Sequence, residues 1–148
     1  MRTDRSFLSS EEIEMADSVI ISGKTMHPIM TKDFLVRINN REEFTVSSID
    51  LNYTEMTINV QLYEYIDESG VTNVDRFLKR IRKSKSLKVP ARLEVDALQG
   101  DGAVLYTEVF RSLAIIDVSG GFDYDNKSIR KVSVTLMYDR HRKLRKAV

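Results

Sequence analysis

From Met56 to Leu62 the chain alternates without a break. Met56, Ile58, Val60 and Leu62 are apolar, while Thr57, Asn59 and Gln61 between them are polar and uncharged. A period of two sends successive side chains to opposite faces, so Met56–Ile66 reads as a strand with one dry face and one wet face. The pattern returns twice. Val89, Ala91, Leu93, Val95 and Ala97 alternate within Val89–Leu98, with Pro90 at the start, where a missing N–H is tolerated. Val132, Val134, Leu136 and Tyr138 alternate with Lys131, Ser133 and Thr135 in Ile129–Tyr138. Amphipathic strands joined by short connections demand an antiparallel sheet system that buries one face.

The remaining segments fit around these strands. Phe34–Ile38 is a further strand, followed by Asn39-Asn40, residues that tolerate positive φ in a turn. In Glu43–Leu51 the apolar phase runs through Phe44 and Val46, then shifts to Ile49 and Leu51. A slip at Ser47-Ser48 predicts a β-bulge. Thr72 and Asp75 have capping-box spacing, and Val74, Phe77, Leu78 and Ile81 follow at helical intervals, which predicts an amphipathic helix over Val74–Ser84. Gln99-Gly-Asp-Gly102 signals a hairpin turn, Ala103–Val118 a long extended segment, and Ser119-Gly-Gly121 another turn. Near the N-terminus, Ser9 and Glu12 allow a short helix over Ser10–Ala16, Ser18–Ile21 a short extended piece, and Gly23–Thr31 a loop. The expected fold class is mainly β, an antiparallel barrel or sandwich with one amphipathic helix packed on it. The chain divides into an N-terminal arm (1–31), a β domain (32–140) and a basic C-terminal tail (141–148).

Composition narrows the function classes. The 148 residues suit one domain, with 42% hydrophobic and 30% charged residues, as in soluble globular domains. A net charge of +1 gives no bulk attraction to nucleic acid or membrane. No cysteine is present, which excludes disulfides and thiolate metal sites. No apolar run reaches the length of a membrane span, and Met1–Glu14 lacks the apolar centre of a signal peptide, so synthesis in the cytoplasm is expected.

Catalysis has little material. The histidines are His27, beside Pro28 in a loop, and His141, in a basic run, and neither spacing suggests a triad or a metal site. Asp123 and Asp125 bracket Tyr124 and could share a face, yet Gly121 and Asn126 beside them mark a polar turn. No phosphate-cradling glycine loop occurs. No catalytic residue, cofactor or metal is expected. Two basic regions stand out. The outer side of the predicted helix carries Arg76, Lys79, Arg80 and Lys83, and the C-terminal run holds Arg140-His-Arg-Lys143 with Arg145 and Lys146. The helix face suits either solvent or an acidic partner. The C-terminal run suits an acidic neighbour, a nucleic acid or a solvated tail.

Two resemblances bear on function. Gly121-Phe-Asp-Tyr-Asp-Asn126, then Ile129 and Val132-Ser-Val-Thr-Leu-Met-Tyr138-Asp139, resembles the ending of the tail tube proteins of contractile phages, with the T-even type nearest. The order of strand, helix, hairpin and final strand from Phe34 to Asp139 is similar to theirs. This resemblance implies a virion tail protein assembled in the host cytoplasm, whose homo-hexameric rings stack into a tube for DNA. Its partners would be tail tube, sheath or baseplate proteins. The short connection Asn52–Glu55 and the N-terminal arm depart from the family pattern, and a baseplate or terminal ring would tolerate both. Thr57, Asn59, Gln61, Ser133 and Thr135 become candidates for the lumen wall, and Arg76, Lys79, Arg80 and Lys83 for a sheath contact. A type VI secretion-like tube protein is an alternative with the same fold. The second resemblance is to PilZ modules, which bind cyclic dinucleotides. Asp117-Val-Ser119-Gly-Gly121 is similar to their Asp-x-Ser-x-x-Gly signature, although Phe122 stands where it has glycine, and Arg76 with Arg80 resembles their arginine pair.

Overall fold

Strand β6, Thr57–Tyr63, forms from the most regular alternation in the chain, and its apolar members Ile58, Val60 and Leu62 are completely buried. The structure, a computed structural model, describes residues 19–26, 29–86 and 90–145. The Ser9/Glu12 capping box, His27 with Pro28, and Val89 lie outside the described residues. Upstream of β6 lie β1 (Val19–Ile21), β2 (Lys24–Met26), β3 (Phe34–Ile38), β4 (Arg41–Glu42) and β5 (Val46–Asn52). After it come helix α1 (Asn73–Ser86), β7 (Arg92–Leu98), β8 (Val104–Arg111), β9 (Ala114–Gly120), β10 (Lys131–Met137) and β11 (Arg140–Arg145).

The strands form a four-stranded sheet, β5-β6-β10-β9, a five-stranded sheet, β11-β8-β7-β3-β4, and the separate hairpin β1-β2. Every pairing is antiparallel. The two larger sheets pack as a sandwich and do not close into a barrel. Their inward residues share one core, with Val36 and Ile38 from β3, Leu93 and Val95 from β7, and Val132, Val134 and Leu136 from β10. Val74, Phe77, Leu78 and Ile81 of α1 join that core, and the helix touches β3 of one sheet and β9 of the other. The Thr72 hydroxyl accepts the Asp75 N–H at 3.1 Å, the cap foreseen from spacing. Asn73 ties the helix start to the strands. Its side chain accepts from Tyr65 N–H and donates to the Tyr63 carbonyl and the Thr45 hydroxyl.

The phase slip near Ser47 is a β-bulge. Val46 pairs Leu62, and the next pair is Ser48 with Gln61, so Ser47 is the extra residue. Val46, Ile49 and Leu51 all turn toward the core as a result. Asn39 and Asn40 both have positive φ and close the two-residue turn between β3 and β4.

Several expectations need correction. Lys24–Met26 is the second arm of a hairpin, turned by Ser22 and Gly23 at positive φ, so the Gly23–Thr31 loop is shorter than expected. Phe44 is 81% exposed, because β5 begins only at Val46. Met56, in phase with the core, has φ 57 and belongs to the turn before β6. Ala103–Val118 does not run straight. Ser112, at φ 60, bends it, and its halves enter different sheets. Extended structure continues through Gly120, so the turn expected at Ser119–Gly121 falls later, where the Asp123 carbonyl accepts the Asn126 N–H. Ile129–Tyr138 is not the last strand, because Arg140–Arg145 pairs along β8 as β11. The chain switches sheets at Ser112 and again at Tyr138-Asp139. One antiparallel ribbon, β8–β9 against β10–β11, therefore bends through both sheets.

Candidate functional site

The outer face of the four-stranded sheet is the most organised polar surface of the molecule. Register aligns Ser48, Gln61, Ser133 and Ser119 in one row across β5, β6, β10 and β9. Asp50, Asn59, Thr135 and Asp117 make the next row, and Asn52, Thr57, Met137 and Ala114 the third. None of these residues is Lys or Arg, and the two carboxylates stand on the edge strands. Asn59 Nδ2 donates to Ser133 Oγ at 2.7 Å and to Thr135 Oγ1 at 3.0 Å, fixing the centre of the face. Lys131 bounds one end, its Nζ 5.4 Å from the Tyr63 ring centroid.

The structure thus brings Thr57, Asn59, Gln61, Ser133 and Thr135 together on neighbouring strands. Alternation put each on a wet face, but only the β6–β10 register makes them one surface. Ser48, Asp50, Asn52, Asp117 and Ser119 complete it and were not singled out for this face. The bulge in β5 and a second one inside β9, where Ile116 is the extra residue, hid their phase.

The helix cations are less uniform than their sequence suggests. Arg76 pairs with Asp67 and Arg80 with Glu43. Asp67 is itself set by the loop, accepting the N–H groups of Ser69 and Val71 through Oδ1, and these bonds hold its carboxyl below the usual carboxylate range. Lys79 and Lys83 are exposed on the outer side. The arrangement needed for PilZ-like binding does not form. Asp117 and Ser119 face away from the core on β9, while Arg76 and Arg80 sit on the helix in ion pairs.

A second cluster lies where β11 meets the turn after β5. Glu108, only 3% exposed, accepts the Tyr53 hydroxyl at 2.7 Å and lies 2.9 Å from His141 Nε2. The His141 ring stacks on Phe110 at 4.7 Å. Desolvation of the hydroxyl, then the bond to Glu108, raises the Tyr53 phenol well above its ordinary range. Tyr106 and Tyr138 are raised by burial and by the same carboxylate. These bonds join the open end of one sheet to the other. Among the described residues, no group of three or more His, Asp or Glu side chains has metal-binding geometry.

No protein-family model matches the chain, and no curated protein is similar to it in sequence. Solved structures are similar in fold. A chain of the anti-feeding prophage tube-terminating cap superposes with a TM-score of 0.57 at 15% identity, covering 88% of this chain and 97% of that one. A chain of the anti-feeding prophage baseplate gives 0.56 at 12% identity, over 80% and 97%. The fold is that of chains from contractile injection machines. A chain of the sheath-tube complex of the extracellular contractile injection system PVC, in its extended state, gives 0.54 at 14% identity, over 94% and 99%. The contractile-tail fold expected from the Gly121–Asp139 ending is therefore the fold observed.

Proposed function

We propose that this chain is a structural, non-catalytic protomer of a tube or tube-like ring in a contractile tail or injection machine. The carrying observation is the polar outer face of the four-stranded sheet, on a fold shared with chains of such machines. In this reading homo-hexameric rings stack, and Thr57, Asn59, Gln61, Ser133 and Thr135 line the lumen. Apart from Lys131 at one end, the hydroxyl and amide groups with flanking carboxylates offer phosphates no cation to hold, so DNA would slide past. The edge strands β5 and β9 would lie beside neighbouring protomers, which removes exposed sheet edges. Lys79 and Lys83 would face an outer sheath.

Negative-stain electron microscopy of the purified chain over a range of concentrations tests this. Rings or stacked tubes with a central hole are the expected result. A monomer at every concentration, even with tail partners added, would overturn it.

A further inference from the structure

The two ends of the bent ribbon carry opposite chemistry. At the tip joining β9 to β10, Phe122 is 90% exposed and Tyr124 fully exposed, with Asp123 and Asp125 around the tyrosine. Short bonds build this tip. Asp123 Oδ1 accepts the Asp125 N–H, Asn126 Oδ1 accepts the Ser128 N–H, and the Arg130 guanidinium lies 4.5 Å over the Phe122 ring. Arg130 also pairs with Glu64 at 2.6 Å, anchoring the tip to the sheet. Phe122 thus has a cation on its face, and Tyr124 is left as a presented aromatic between two carboxylates.

At the other half of the ribbon, β11 is an exposed edge strand carrying Arg140, Arg142, Lys143 and Arg145. Arg140 pairs Arg111 and Arg142 pairs Val109 across to β8, so Arg111, Arg140 and Arg142 share one face. They surround a hollow with Val109 in its lining and a single carboxylate, Asp139. None of the three arginines makes an ion pair among the described residues. The seven residues of β10 separate tip from corner by about 20 Å, so the two surfaces do not meet in one protomer.

We infer that the tip of one copy docks on the β11 face of the next, with Tyr124 in the hollow and Asp123 and Asp125 against Arg140 and Arg142. Such a contact is heterologous, and it builds rings or stacks where an isologous one stops at a dimer. An aromatic ring beside guanidiniums gains cation–π attraction, and the flanking carboxylates fix its orientation. The inference rests on the self-assembly reading and names its contact.

The experiment is a charge exchange on the full chain. One variant carries Asp123→Arg with Asp125→Arg, a second Arg140→Glu with Arg142→Glu, and a third all four changes. All sites are exposed, and circular dichroism checks each fold. Sedimentation velocity measures the concentration at half-assembly. Each two-site variant should raise it at least about tenfold, and an equimolar mixture of the two, or the four-site variant, should restore it. Unchanged assembly in the two-site variants, or no rescue while wild type still assembles, overturns this contact and leaves the tube reading standing. If only the β11 variant fails, that strand binds some other acidic surface and the tip contact is wrong. A wild-type chain that never assembles removes both readings.

Discussion

Single side chains set local outcomes that can be measured. Leu62 is completely buried between the sheets. Leu62→Ala should destabilise by about 2–5 kcal/mol in urea unfolding, with an unchanged far-ultraviolet spectrum. Asn59 holds two hydroxyls from β10, and Asn59→Ala should cost about 1 kcal/mol, because the half-exposed partners regain water. Tyr53 gives a pH signature. Its raised phenol means that the folded chain keeps a proton the unfolded chain releases near the ordinary value of 10.0. That stabilisation is complete below this value and is lost as pH climbs through the raised one. Melting temperature should therefore fall more steeply above about pH 10 in wild type than in Tyr53→Phe. Parallel curves would sink this account of Glu108 and Tyr53. Whether a side chain faces in or out was legible at most positions in β6, β7 and β10. It failed at Met56 and Phe44, whose apolar character fits the phase although the backbone there has left the strand.

Elements were legible where their signals are local. The helix announced itself through Thr72, Asp75 and the apolar spacing that follows, and Thr72→Ala should cost about 1 kcal/mol by thermal unfolding. The bulge announced itself through the slip between Val46 and Ile49. Deleting Ser47 would leave Val46, Ser48 and Ile49 opposite Leu62, Gln61 and Val60 in an unbroken ladder, so Val46 should keep its core place, the local bend should be lost, and a cooperative urea transition should survive. The corner at Ser112 gave no such notice. Serine there is no strong turn residue, and Arg111 and Leu113 continue an extended pattern. Its positive φ is imposed by the need to feed two sheets at once. Strand β11 was hidden for a related reason. A run of cations has no apolar alternation, and its order comes from backbone pairing with β8, which periodicity does not report.

The whole molecule presents a neutral-to-acidic sheet face and a basic edge, although its net charge is only +1. If the polar face lines a channel, replacing Thr57 and Gln61 on the central strand β6 by Lys should leave assembly intact and make the assemblies retain DNA at low salt. Wild-type assemblies should release it, and added salt should abolish the difference in a gel-shift titration. Equal retention by both would remove the lumen assignment. The polar face was not readable as a surface from one segment alone, since it needs strands brought together across the chain, whereas Gly121 and Asn126 marked the tip locally as a polar turn. The wet residues of β6 and β10 are about 75 positions apart in sequence and become neighbours only through antiparallel register.

The bent ribbon has a kinetic consequence. Its innermost pair, Gly120 with Val132, closes a short loop, while its outermost, Arg145 with Tyr106, joins segments far apart in sequence. Each pair shortens the search for the next, so the ribbon should zip from the tip toward the chain end. Hydrogen exchange should run the other way, with β11 amides opening first and those of β10 last. The strand that closes last in the monomer is thus the one a neighbouring copy would hold shut.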